Sequence, residues 1–372
     1  MTIAEPGCDN LRMPSVPTES MLAAAPIVKI HSIDPLSDPA WDRLAGSHPE
    51  FTFFHSSAWA RVLSATYGHT PQYYSFINET KLTALLPMME VRSLITGRRG
   101  VCLPFTDSCG PLYFGKNPPS QLVLDHLMKT SQQRNWRYFE MRQNEGCLPG
   151  ARPAVTFHNH LLELKSGGED QLHRFAGPVR RAIRKAGRNG LKARTSTDCA
   201  AILEFYGLHV QTRKRHGLPP QPVSFFQNIH EHVLKAGLGF VVMVHLKERP
   251  VAGAVFFHAN NKAIYKFGAS DASLNELRGN NLAMWKGIET LSELGVTTLD
   301  FGRTSLANDG LRRFKSSWAA DERTIEYIKF DTNMNNWAQA QDNSSGIHTR
   351  FFRHLPNRLN RVAGALLYPH LD

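Results

Sequence analysis

Lys315 is the residue whose neighbours most invite chemistry. It lies in Leu311-Arg312-Arg313-Phe314-Lys315-Ser316-Ser317-Trp318, where cations alternate with aromatic rings. Between Phe314 and Trp318 a lysine can hold a partly desolvated ammonium near developing negative charge, the competing reading being a surface lysine beside core aromatics. Two carboxylates are candidate bases: Asp300, at the end of a short strand running into Phe301-Gly302, and Asp107, next to the turn Gly110-Pro111. Lys315, Asp300 and Asp107 together suit acylation of an amine, which needs a deprotonated nitrogen, a positioned carbonyl and a stabilised oxyanion. No nucleophilic side chain is required, and none is indicated: no serine sits in G-x-S-x-G and no Cys/His arrangement is visible.

Two further segments suit anionic groups. No acidic residue lies between Asp170 and Asp198, while Arg174, Arg180, Arg181, Arg184, Lys185, Arg188, Lys192 and Arg194 accumulate there. Pro178 suits a first helical position and Asn189-Gly190 a C-cap, so Pro178–Arg188 is expected to be helical. Its buried face would be Val179, Ile183 and Ala186. Arg180, Arg181, Arg184 and Lys185 would then bind phosphates of a substrate, with Phe314 and Trp318 as further substrate contacts; a solvated basic face is the alternative. The run from Phe267 to Trp285 passes from a strand through a polar loop into a helix at about Asn280–Leu294. Arg278, Gly279, Asn280 and Asn281 at that helix start form a candidate donor site for an anion, or Asn280 merely caps the helix.

Other matches fail on context. Asp300-Phe301-Gly302 spells a kinase motif, yet no glycine-rich loop or H-R-D accompanies it. His158 and His160 would point to one face of a strand, but with no third ligand nearby no metal site is expected. The five cysteines are odd in number, widely spaced and free of C-x-x-C, which supports neither a disulfide framework nor a zinc ribbon.

The elements that must position these residues follow from pattern. In the first half a helix at Ser56–Tyr67 precedes strands Gln72–Asn78 and Leu82–Met89; a helix at Gln121–Gln133 and strands Tyr138–Met141 and Phe157–Leu164 follow. The second half has a similar order: a helix at Phe225–Lys235, strands Phe240–Leu246, Val251–His258 and Ala263–Phe267, then the Asn280–Leu294 helix and strands Thr297–Phe301 and Thr324–Phe330. This grammar predicts two α+β domains with a cleft between them. The expected division is a flexible tail over 1–26, a first domain over 27–166, a second over 167–335 and a basic amphipathic tail over 336–372.

Taken in order, Val179-Arg180-Arg181-Ala182-Ile183-Arg184-Lys185-Ala186, Lys266-Phe267-Gly268-Ala269-Ser270-Asp271, Arg278-Gly279-Asn280-Asn281-Leu282, Asp300-Phe301-Gly302 and Gly310-Leu311-x-x-Phe314-Lys315 resemble the Fem-like acyltransferases of the GNAT superfamily, the exopolysaccharide-associated members above all. Agreement runs over about Gly167–Phe330. More loosely, Phe54-His55-Ser56-Ser57-Ala58-Trp59 and Ser108-Cys109-Gly110-Pro111-Leu112 resemble the N-terminal domain of that family. The resemblance implies tandem GNAT-like domains with mixed, largely antiparallel sheets, and an N-acyltransferase moving an acyl or aminoacyl group onto an amine of a cell-envelope or exopolysaccharide precursor. It implies no tightly bound cofactor, with acyl-CoA or aminoacyl-tRNA as donor substrate, and it gives the lysine matching Lys315 a role in stabilising the reacting carbonyl. The implied partners are a phosphorylated or lipid-linked sugar acceptor and tRNA, but no DNA.

Lysine and arginine number 43 against 32 aspartates and glutamates, a net charge of +11 that favours polyanionic partners or a membrane surface. No signal peptide and no spanning segment is expected, so the protein is read as cytoplasmic. In the closing stretch Leu355, Leu359, Val362 and Leu366 lie at helical spacing with Arg353, Arg358 and Arg361 between them, as in an interfacial helix at the inner face of a membrane or one packed on the body. A non-catalytic phosphate- or RNA-binding protein on the same fold is the competing functional reading.

Overall fold

The first half opens with β1 (Val28–Ile33), α1 (Ala40–Gly46), α2 (Ser57–Tyr67), β2 (Thr70–Pro71), β3 (Tyr73–Asn78) and β4 (Lys81–Leu86). There follow β5 (Met89–Ser93), β6 (Gly97–Val101), β7 (Leu112–Tyr113), α3 (Ser120–Gln133), β8 (Tyr138–Gln143) and β9 (Pro153–Glu163). The structure, a computed structural model, describes residues 28–143, 148–165, 167–339 and 348–372; the tail expected over 1–26 lies outside them. The single strand expected at Leu82–Met89 is two. Pro87 has no N–H to continue a ladder, and there the chain leaves a four-stranded sheet, order β1-β3-β4-β7, for a larger one.

The second half continues with α4 (Gly168–Arg174), α5 (Gly177–Arg188), β10 (Leu191–Ser196), α6 (Cys199–Arg215), α7 (Val223–Ile229), β11 (Gly239–Leu246), β12 (Arg249–Ala259) and β13 (Lys262–Ser270). Then come α8 (Gly279–Glu293), β14 (Thr298–Asp300), β15 (Thr304–Ser305), α9 (Asp309–Ser316), β16 (Asp321–Asp331), β17 (Asn336–Trp337), α10 (His348–His354) and α11 (Asn357–Leu367). The large sheet runs β10-β11-β12-β13-β14-β9-β16-β8-β6-β5-β2, with β15 beside β9 and β17 beside β16. Its pairs are antiparallel except β13 with β14 and β6 with β8. β16 from the second half thus lies between β9 and β8 from the first, and both halves share one sheet.

Strand alternation assigns the core. On β11, Phe240, Val242 and Val244 join a cluster with Val179, Ile183, Trp285 and Ile288 under α5 and α8. Val241 and Met243 face the other way, into a cluster that runs from Phe205 and Phe226 on α6 and α7 to Trp59 on α2. Because helices cover both faces, this strand reads as a continuous apolar run. Phe53 meets Phe257 at 4.6 Å between ring centroids, and Trp59 meets Phe225 at 5.9 Å, so the first half packs directly on the second. The α5 helix forms with the expected buried face of Val179, Ile183 and Ala186. Among the described residues no helix is long and apolar enough to cross a membrane.

Candidate active site

β13 and β14 pair in parallel only at Lys262 with Thr298, Ala263 with Leu299 and Ile264 with Asp300. Beyond this β14 ends, whereas β13 continues to Ser270, and the Asp107 carboxylate bridges the two chains where their pairing stops, accepting from Lys266 of β13 and from the Arg303 amide beyond β14. The chain turns at Gly302, where φ is +72°. A Cβ built there would lie 3.2 Å from the Asp107 carboxylate, so both conformation and space call for glycine.

Asp300 stands where that pairing stops. Its Oδ1 accepts from the Gly302 amide at 2.7 Å and its Oδ2 from Asn159 Nδ2 at 3.2 Å. Burial, reinforced by the negative charge of Asp107, lifts its pKa to about 6 against the pull of those hydrogen bonds and of Lys315. Such a carboxyl is largely ionised near neutral pH yet basic enough to take a proton.

Lys315 reaches the same place from α9. Its ammonium donates to Gly302 O at 2.6 Å and to Arg303 O at 3.0 Å, and the residue is only 3% exposed. Burial lowers its pKa to about 8, with Asp107 and Asp300 resisting. Asp107 comes from the loop after β6. Burial pushes its pKa up, but the Lys266 and Arg303 cations outweigh this and hold it below the usual carboxylate range. The Asp107 carboxylate accepts from Lys266 Nζ at 2.9 Å and from the Arg303 amide at 3.4 Å. Thus the three predicted catalytic residues converge.

Several members of the cluster carried no role in the sequence reading. Lys266 donates also to Phe105 O at 2.6 Å and lies 5.0 Å from the centre of the Phe54 ring. Arg303 stacks over Phe157 at 4.6 Å and Tyr327 at 5.1 Å, and the Tyr327 hydroxyl donates to Asp107 O at 2.9 Å. The loop that delivers Asp107 is strained: Leu103 and Phe105 have φ of 57° and 59°, where bulky side chains are uncommon. One signal was available for Lys266, a cation between Tyr265 and Phe267 in the middle of a largely apolar strand.

A cleft of about 370 Å³ opens beside Asp300, between Phe54, His55, Ser108 and Gly110 of the first half and Lys262, Ile264 and Arg323 of the second. Asn159 and Gln143 line it too. Each is only 5% exposed, and Asn159 Oδ1 and Gln143 Oε1 have no hydrogen-bond partner. Donation by Asn159 Nδ2 to the Asp300 carboxylate fixes which end of that amide is oxygen. His55, whose ring bonds Gly110 O at 3.0 Å, is kept neutral by burial, which lowers its pKa to about 4.

The other predicted residues are distributed around this centre. The Ala176 amide, just before α5, donates to Ser317 O at 3.0 Å, so the basic helix adjoins the end of α9. On α5, Arg181, Arg184 and Lys185 are exposed and Arg180 is half-buried. Phe314 is half-buried, but Trp318 is fully buried with its ring 5.0 Å from Phe175, a core residue and not a substrate contact. At the start of α8, Arg278 has φ of +67° and is exposed. Gly279 is buried where a Cβ would come within 2.9 Å of Val251, and Asn280 donates to Ser270 Oγ at 3.2 Å. This helix start lies six residues along β13 from Ile264, roughly 20 Å from Asp300 at strand rise. His158 and His160 both approach Glu322, at 3.3 and 3.2 Å, and Glu322 in turn pairs with Arg312 of α9 at 2.7 Å.

Residues 173–316 match the family model described as an acetyltransferase (GNAT) domain. No curated protein matches the chain. Among solved structures, FemX is 14% identical with a TM-score of 0.62, covering 80% of this chain and 96% of that one. A tandem GNAT protein from the clavulanic acid biosynthesis pathway is 9% identical with a TM-score of 0.55, covering 82% and 99%. The C-terminal domain of a putative lysylphosphatidylglycerol synthetase from Agrobacterium fabrum is 12% identical with a TM-score of 0.50, covering 73% and 86%. The fold is that of tandem GNAT proteins, residues 173–316 carry the acetyltransferase (GNAT) domain, and the chain is an N-acyltransferase.

Proposed function

We propose that the protein transfers an acyl or aminoacyl group to a primary amine seated in the cleft beside Asp300, the donor reaching the cleft along β13 from the start of α8. The observation that carries this reading is Asp300 itself: a carboxyl with a pKa near 6, lining the cleft at the point where the pairing of β13 with β14 stops. Asn159 Oδ1 and Gln143 Oε1, both buried and unpartnered on the cleft wall, would accept N–H bonds from the amine. Its nitrogen attacks the acyl carbonyl carbon and a C–N bond forms as the C–S or C–O bond to the donor breaks. Asp300 takes the proton lost by nitrogen, and that proton passes on to the leaving sulfur or oxygen, which restores the carboxylate. Lys315 has one N–H beyond those given to Gly302 O and Arg303 O, and it stabilises negative charge on the carbonyl oxygen.

The donor is acyl-CoA or aminoacyl-tRNA, its anionic part held by Arg278, Gly279, Asn280 and Asn281 at the start of α8. The roughly 20 Å from there to Asp300 suits a donor with a long arm between phosphate and acyl group. The Fem-like motifs point to an acceptor on a phosphorylated or lipid-linked cell-envelope or exopolysaccharide precursor, with Arg180, Arg181, Arg184 and Lys185 on its phosphates. The test incubates the full chain with acetyl-CoA, longer acyl-CoA or aminoacyl-tRNA and a panel of amino sugars and peptide amines, following amide products by mass spectrometry. Amide formation is expected with at least one pair, and its loss in Asp300→Asn and Lys315→Met with donor affinity retained. No amide from any pair, or full activity in Asp300→Asn, would overturn the reading.

A further inference from the structure

The α11 helix packs on the body with the wrong face for a buried helix. Inward it presents Asn360 and Gly364, both buried. Gly364 lies so close to Pro220 O that a Cβ would come within 1.9 Å of it. The segment that follows is tied down by Arg213, which donates to the Tyr368 hydroxyl at 2.7 Å, and by Arg99, which pairs with Asp372 at 2.7 Å. The apolar stripe therefore faces outward, with Leu359 56%, Val362 57% and Leu366 67% exposed. Beside the end of α11 stands the tip of the β5–β6 hairpin, held there by Thr96 and Arg99, which donate to His370 O at 3.4 and 2.8 Å. The tip carries Leu94 and Ile95, 102% and 69% exposed, the former more open than in an extended chain. Ser93 Oγ accepts from the Ile95 and Thr96 amides, so this apolar tip has a defined shape.

We infer that the outer face of α11 and the Leu94–Ile95 tip together seat the protein on an anionic lipid bilayer. An apolar helical stripe flanked by cations, fixed parallel to a protein surface, has the chemistry of an interfacial helix. Arg353 and Arg358 are exposed on this segment and Arg98 on the hairpin, while Arg361 lies over the Tyr206 ring at 4.9 Å and donates to its hydroxyl. The chain from 343 to 371 contains no aspartate or glutamate, and the carboxylate at 372 is consumed by Arg99. Anionic headgroups complement that charge, and acyl chains accept the leucines that water does not. A two-fold contact between copies would instead bring two faces of the same positive charge together.

The inference stands apart from the reaction proposed above, and its test needs no substrate. The full chain is floated with vesicles of phosphatidylglycerol and phosphatidylcholine, and with phosphatidylcholine alone, at low and high salt, with light scattering for oligomeric state. Wild type is expected to float with the anionic vesicles, less at high salt. Leu359→Ser/Val362→Ser/Leu366→Ser and, separately, Leu94→Ser/Ile95→Ser should each lower the partition coefficient about tenfold or more. Their melting temperatures should stay near that of wild type, because the replaced side chains are exposed. A wild type that stays at the bottom of the gradient, variants that float equally, or a dimer abolished by the serine substitutions would overturn it.

Discussion

The Lys266 ammonium lies 2.9 Å from the Asp107 carboxylate and 2.6 Å from Phe105 O, binding a strand of the second half to a strained loop of the first. This pair is the hinge of the site in the energetic sense. It ties down a loop in which Leu103 and Phe105 are held at positive φ, at about 1–3 kcal/mol each, and it brings Asp107 to the Gly302 turn beside Lys315 and Asp300.

Removing one member of that pair leaves the other buried and uncompensated. Asp107→Asn is expected to lower unfolding free energy by about 3–5 kcal/mol, whereas Asp107→Asn with Lys266→Met should recover much of the loss. Urea denaturation of the two variants beside Lys266→Met closes the cycle. Additive losses would show that the pair is not coupled.

Asp300 should trade stability for activity. Its pKa is about 6 when folded against about 3.9 in an unfolded chain, so the folded state binds the proton more tightly. The contribution of this group to stability is then greatest below about pH 4 and falls as pH rises through 6, by about 3 kcal/mol in all. Asp300→Asn removes this penalty. It should stabilise the protein by up to that amount at pH 8 and hardly at all at pH 4, while lowering kcat/KM by about 10²–10⁴-fold. A variant less stable than wild type at pH 8 would contradict the assignment.

Lys315 supplies the other limb of the pH profile. With Asp300 required as carboxylate and Lys315 as ammonium, kcat/KM should rise through about pH 6 and fall above about pH 8. Residual activity in Lys315→Met should keep the acid limb and lose the alkaline one. An alkaline limb that survives the substitution would assign it to another group.

Much of this site was legible in sequence because local order is enough to read it. Phe314-Lys315, Asp300-Phe301-Gly302 and the cation run of α5 are each contiguous in the sequence. What was not legible depends on tertiary contact. Lys266 alternates with aromatics on β13, and only the arrival of the Asp107 loop shows that it faces inward. Trp318 beside a lysine reads as a substrate platform until Phe175 is seen to cover it. The α6 helix escaped notice because Ile202, Phe205, Tyr206, Leu208, His209 and Val210 are all buried, so no narrow apolar stripe marks it. The interleaving of β16 between β8 and β9 is likewise a long-range pairing that no local pattern records.

The basic face of α5 should act on binding and not on the chemical step. Arg180→Ala/Arg184→Ala is expected to raise KM for a phosphorylated acceptor about tenfold at low salt with kcat little changed, and to flatten its dependence on ionic strength. The measurement is KM at low and high salt for both proteins. Identical salt profiles would make the stripe a solvated surface.

The α11 helix offers two substitutions whose effects should differ sharply although they lie two residues apart. Gly364→Ala puts a methyl group within 1.9 Å of Pro220 O, a backbone atom that cannot step aside, so the helix must lift. Lifting weakens the Tyr368 contacts with Pro219 and Arg213 and pulls Asp372 from Arg99, a guanidinium almost wholly buried. Overpacking of this kind costs about 1–3 kcal/mol, and the loosened tail should open the backbone after Arg358 and Arg361 to trypsin. Leu366→Ser replaces an exposed residue on the opposite face and should change stability by no more than about 0.5 kcal/mol, with no new cleavage. Equal melting temperatures and equal trypsin lifetimes for the two variants would mean that α11 does not hold the docked position on which its outward apolar face depends.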